Sequence, residues 1–169
     1  MRYLLPTLLL AAMAQAQTTS AAFLPFGTGC VLEGQTLAIG NVGLPQIGQT
    51  FQITYSGPNH THNFAQQIAW PQLAFGFQTQ QFAIPTNWFP QQPTGCTGLI
   101  SPIAVQSMPL NAAGNAYESS FTMVLPNDPG LIGVQFVAQW MNVHQQCGFA
   151  GCGLDAIALS DAAIVIVGT

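Results

Sequence analysis

His60 and His62, in the segment "NHTHNF", are the two histidines that stand closest together in this chain. Two residues apart on an extended strand, both rings would leave the same face and offer two nitrogens to one metal ion. The segment follows "SGPN", a turn signal, and in a loop that shared face is lost. No Asp or Glu lies within twenty residues of the pair. Two neutral imidazoles rarely hold a metal alone, so His60 and His62 are metal candidates only if a distant carboxylate or His144 completes the set. The expectation is a polar loop, with no cofactor.

A second ligand set lies in "HQQCGFAGC", where His144, Cys147 and Cys152 present one nitrogen and two sulfurs. Zinc takes such ligands, but a structural site needs a fourth. In an oxidising compartment two nearby cysteines pair with each other instead. The chain has four cysteines, which allow three pairings. Cys147 and Cys152 are close enough to close a small loop containing Gly148 and Gly151. That leaves Cys30 with Cys96, tying the first strand region to the middle of the chain. In the chain-entropy picture the long closure contributes roughly 4 kcal/mol and the short one about 2 kcal/mol.

Catalytic groups are sparse. The acids are Glu33, Glu118, Asp128, Asp155 and Asp161, and paired acid–base hydrolysis needs two carboxylates facing one cleft. Glu118 falls on the outward face of an alternating strand, and Asp128 reads as a turn or cap residue. There is no Gly-x-Ser-x-Gly elbow, no Gly-rich phosphate loop and no lysine for a Schiff base. A non-catalytic protein is expected. Among the aromatics, Trp140 falls on an inward strand face. Trp88 and Phe89 lie in "PTNWFPQQP", a proline-flanked loop, and are the candidate platform for stacking on a carbohydrate.

The elements that must position these residues begin with a leader. Arg2 precedes an apolar run, Leu4 to Met13, and Ala14-Gln15-Ala16 matches a small-residue cleavage site. The expected division is a signal peptide over residues 1–16 and one domain over residues 17–169, secreted or at the cell surface. No later stretch is long and apolar enough for a membrane-spanning helix. Arg2 is the only Lys or Arg, so the net charge of −4 becomes −5 once the leader is removed. Without cations a nucleic-acid partner is not expected, because neutralising phosphates needs Lys or Arg. Eighteen glutamines after residue 16 supply much of the polarity. Such an uncharged polar surface repels neighbouring copies weakly.

Period-two alternation dominates what remains. "QTFQITYS" sets Phe51, Ile53 and Tyr55 against Gln52 and Thr54. "NAYESSFTMVLP" sets Tyr117, Ser119, Phe121, Met123 and Leu125 against Glu118, Ser120 and Thr122. "VQFVAQW" sets Val134, Phe136, Ala138 and Trp140 against Gln135 and Gln139. With "LAIGNV", "QLAFGFQ", "QFAIP", "LISPIAVQS" and "DAIALSDAAIVIVG", about eight or nine strands are expected. The best helical turn is "NDPGLIG", capped by Asn127 or Asp128 ahead of Pro129. The expected fold is all-β, an antiparallel two-sheet sandwich of jelly-roll type.

Several segments together resemble a family of uncharacterised secreted β-sandwich domains of planctomycetes and similar bacteria. They are "FGTGC", "GLPQIGQTFQI", "PTGCTGLIS", "NAAGNAYESSFTMVLPNDPGLIGVQFVAQW" and the terminal "LDAIALSDAAIVIVG". The resemblance implies an exported sandwich with Cys30 and Cys96 paired, and it carries over no functional residues. "NHTHNF" and "CGFAGC" depart from its pattern. The function expected is structural: an extracellular protein that assembles with copies of itself, as a filament or coat subunit. The alternative is a binding module for carbohydrate or a metal ion. The candidate assembly segment is apolar and N-terminal, including Ala21, Ala22, Phe23 and Leu24, and would add a strand to a neighbour's open sheet edge.

Overall fold

The structure is a computed structural model that describes residues 19–32, 34–58, 66–90, 92–93, 95–108, 111–113, 116–148 and 151–169. Among them are thirteen strands and one short 3-10 turn, Pro129–Leu131. Five strands form one antiparallel sheet: β1 (Ala22–Phe26), β6 (Gln66–Gly76), β9 (Ala104–Ser107), β12 (Gln135–Gly148) and β13 (Gly151–Ile166). Their spatial order is β1-β13-β12-β6-β9. Facing it is a four-stranded sheet of β4 (Ala38–Val42), β5 (Thr50–Pro58), β10 (Asn111–Ala113) and β11 (Ala116–Val124), in the order β10-β11-β5-β4. Two small hairpins complete the set: β2 (Val31–Leu32) with β3 (Gln35–Thr36), and β7 (Thr79–Ala83) with β8 (Thr97–Ile100). The all-β sandwich expected from the alternation is what the chain forms. The strand number exceeds the eight or nine expected because Pro102 divides "LISPIAVQS" into β8 and β9, and short hairpins add the rest.

Alternation sets the core. Phe51, Ile53 and Tyr55 of β5 point inward and are almost fully buried, as are Trp140 of β12 and Val165 of β13. They meet Leu73 of β6 and Ile39 of β4 between the sheets, in one continuous cluster. On β11, Ser119 and, just past its end, Leu125 are buried, Phe121 and Met123 half-buried, and Glu118 exposed, as the period-two reading requires.

One reading of β12 differs. Gln139 alternates away from the main core and was expected to face solvent, yet it is buried. The β7–β8 hairpin lies over the outer face of the five-stranded sheet and makes a second small core with Ala74, Val137 and Ala162. Beneath it the Gln139 amide accepts from Leu99 N at 2.9 Å and donates to the carbonyls of Thr97 and Ser160 at 3.2 and 2.7 Å. A buried amide is tolerated only with such partners. Gly98 leaves room for the ring of Phe82, which would have to move to admit a Cβ there.

The 3-10 turn follows β11. Asp128 is its N-cap: the carboxylate accepts from Gly130 N at 2.8 Å, ahead of Pro129 at the first position.

Candidate functional site

The two sheets meet along two lateral sides, and the chain treats them differently. On the first side, β13 and β1 of one sheet run beside β4 of the other. The pairing of β12 with β13 is broken between Gln139 and Met141, where Ser160 and Asp161 together oppose Trp140. Such a bulge re-aims side chains. Ser160 Oγ replaces a ladder bond by accepting from Trp140 N at 3.0 Å. Asp161 crosses to the other sheet and accepts from Ile39 N, an edge amide of β4, at 2.7 Å. Burial pushes the Asp161 carboxyl above its usual range, opposed by the hydrogen bonds it receives.

β1 covers β13 only from Ala162 to Ile166. Short of that, loop groups take over. Cys30 N donates to Leu159 O at 2.7 Å, and Leu159 N points to Cys30 Sγ. The Gln92 amide brackets Ile157, accepting from its N–H at 3.0 Å and donating to its carbonyl at 2.7 Å. That amide does what a neighbouring strand would do. The Cys30–Cys96 disulfide fastens both loops here. At the end of the strand, Ile47 N and Gly168 N tie the loop at Pro45 to the chain terminus at 3.0 and 3.1 Å.

The second side is built by β6 and β9 facing β11. β10 pairs with β11 only from Ala116 to Glu118. From Ser120 to Val124 the outer edge of β11 has no strand beside it among the described residues, and β9 is likewise an edge strand. Between these edges lies a depression of about 350 Å³. Its lining is wholly apolar: Phe75, Phe77, Ile103, Phe121, Met123, Val134 and Phe136, with Gly76 and Ala104. Phe75 holds its floor, meeting Phe121 edge-on at 5.3 Å and Phe136 at 6.0 Å between ring centroids. The rim is open, with Phe77 at 68% and Ile103 at 67% of full exposure. Val134, assigned inward by alternation, stands at this rim because the facing sheet does not reach over it.

The residues singled out by type fall elsewhere. His60 and His62 lie outside the described residues. Cys147 and Cys152 are directly opposed across the β12–β13 hairpin and are bonded to each other, so they do not join His144 as zinc ligands. Among the described residues, no cluster of three or more His, Cys, Asp or Glu is placed to hold a metal. Trp88 is exposed and Phe89 half-buried in a turn where Trp88 N donates to Pro85 O at 3.3 Å. Ala21 precedes β1, and Ala22, Phe23 and Leu24 pair with Ile166, Val165 and Ile164 of their own chain. Phe23 packs against the core while Leu24 is half exposed.

Inside the sandwich, Asn142 Nδ2 donates to the Tyr55 hydroxyl at 2.9 Å, beneath Trp140 with ring centroids 5.7 Å apart. Burial pushes the Tyr55 hydroxyl up to about 12, against the lowering effect of Asn142. It therefore stays protonated at ordinary pH.

The groove was missed because each residue in it reads as ordinary core or surface. Its one legible trace is "IAVQS", an apolar edge segment with no lysine to blunt it. No family model, no curated protein and no solved structure matches the chain. No helix among the described residues is long and apolar enough to cross a membrane.

Proposed function

We propose that this is an exported, non-catalytic structural protein that works by assembling with other polypeptide chains. The observation that carries the reading is the open lateral side, where an uncharged apolar groove lies between two strand edges that have no strand beside them among the described residues. Apolar surface of this kind is stabilised by removal from water, at about 25 cal/mol per Å². Two disulfides and a leader-like segment over residues 1–16 support export. Three of the five acids support a non-catalytic role: Asp128 caps a turn, Asp161 holds Ile39, and Glu118 stands exposed on a sheet face.

The N-terminal segment has a smaller part in this reading than its sequence suggests. β1 is held on its own β13, so it reaches a neighbour only by exchanging that pairing for an equivalent one. The test is sedimentation of the exported form, beginning at Gln17, over a wide concentration range, with a variant lacking residues 17–24. The full form should grow in mass with concentration. A monomer at every concentration would remove the assembly reading.

A second reading, carbohydrate binding, is favoured by the exposure of Trp88, 63% of its full surface. Trp88→Ala should then abolish retention on an insoluble polysaccharide. Equal retention of both proteins would dismiss it.

A further inference from the structure

We infer that the open side is a self-complementary contact, through which two copies of this chain pair β9 and β11 edges and bury each other's groove. The inference rests on the assembly reading and names its partner and surface.

The first argument concerns what can occupy such a site. A lipid or another apolar small molecule could cover Phe77, Ile103 and Phe121, but it would leave the outward N–H and C=O groups of β9 and β11 without strand partners. Only an extended polypeptide satisfies the groove and both edges together. The occupant is therefore a strand.

The second argument concerns whose strand it is. Natural edge strands that must stay single are kept very short or carry lysine, proline, a bulge or an inward charge. β9 is short, at four residues, but neither Ala104–Ser107 nor Ser120–Val124 carries lysine, proline or a charge, and no register shift is present in the pairing of either strand. No charged residue lines the groove, and residues 3–169 contain no Lys or Arg. When two copies meet through this side, apolar rim meets apolar rim and no like charges oppose each other across the groove. An acidic or basic partner would find no counter-charge there. The chain's own N-terminal segment is already placed on β13. A two-fold contact between identical sides is the arrangement these properties fit, with the same patch used by both subunits. Further growth from the dimer would then use another edge, such as that of β1.

The experiment uses the disulfide-bonded chain from Gln17 and measures mass by equilibrium sedimentation. The double variant I103K/V105K puts ammonium groups on the β9 edge, at side chains that are at least half exposed and whose replacement should leave the fold intact. V124K puts an ammonium group on the β11 edge, at an exposed side chain that alternates away from Phe121 and Met123. V42K, an exposed side chain on β4 at the closed side, is the control. Both open-side variants should weaken dimerisation at least tenfold, with unchanged far-ultraviolet circular dichroism, while V42K dimerises like the parent. If I103K/V105K fails to fold, V124K carries the test alone. Assembly that persists in V124K would overturn the contact while leaving the assembly reading standing. A parent protein that is monomeric throughout would overturn both. A stable complex with a different protein, in place of the dimer, would overturn the choice of partner.

Discussion

The two lateral sides of this sandwich face the same problem and answer it differently. Each exposes edge strands whose backbone groups need partners. On the disulfide side the chain supplies its own: Asp161 for Ile39, Gln92 for Ile157, Cys30 for Leu159. Short loops, two side chains and one covalent bond stand in for a strand. On the open side, among the described residues, none of these devices is present between Ser120 and Val124, and the side chains beneath are apolar. The lesson is that this fold closes one edge with its own loops and side chains, and in the proposed assembly the edge left open beside an apolar groove is the surface for another chain.

Breaking the closed side should have the largest effect. Replacing Cys30 and Cys96 with alanine releases a loop of 66 residues in sequence separation. It should lower stability by about 4 kcal/mol, read from chemical denaturation. A loss under about 1 kcal/mol would mean that the loops hold the edge without the bond. Gln92→Leu keeps the volume but leaves both polar groups of Ile157 without the side chain that brackets them, and should cost about 2 kcal/mol. Amide exchange at Ile157 should rise in this variant. Unchanged protection there would remove Gln92 from the account.

Asp161 sharpens the comparison through pH. Its carboxyl holds a proton more tightly in the fold than in the unfolded chain. The stability it contributes is therefore fully present below the ordinary carboxylate range and is lost as pH rises through the raised native value. Asp161→Asn keeps an acceptor for Ile39 N–H and has no proton to lose. The melting temperature of the variant relative to the parent should climb as pH rises across that window. A difference that stays flat or falls would contradict the assignment. At the other extreme, I103K/V105K at the open side should change the stability of the isolated monomer by less than about 0.5 kcal/mol, since both side chains already face water.

Much of the closed core was legible because it depends on local alternation. Phe51, Ile53 and Tyr55 sit where period two puts them, and Asp128 caps the turn that "NDPG" announces. Both disulfides were legible from spacing and number. Gln139 was misread because its cover comes from Thr97 and Leu99, some forty residues away. Asp161 gave no signal because its direction depends on a bulge opposite Trp140, which is a matter of strand register. The groove was illegible for a related reason. Phe75, Phe121 and Phe136 come from three strands, and whether they are covered depends on which strand lies beside β11, not on any of the three sequences.

The difference between the two sides is read most directly by hydrogen–deuterium exchange at two protein concentrations, residue by residue. The amides of Ile39, Ile157 and Leu159 should be protected equally in dilute and concentrated samples, because their partners lie within the chain. The outward amides of Ala104–Ser107 and Ser120–Val124 should exchange freely when dilute and become protected when concentrated. Protection of those amides that does not change with concentration would contradict the account, as would rapid exchange at Ile39, Ile157 and Leu159.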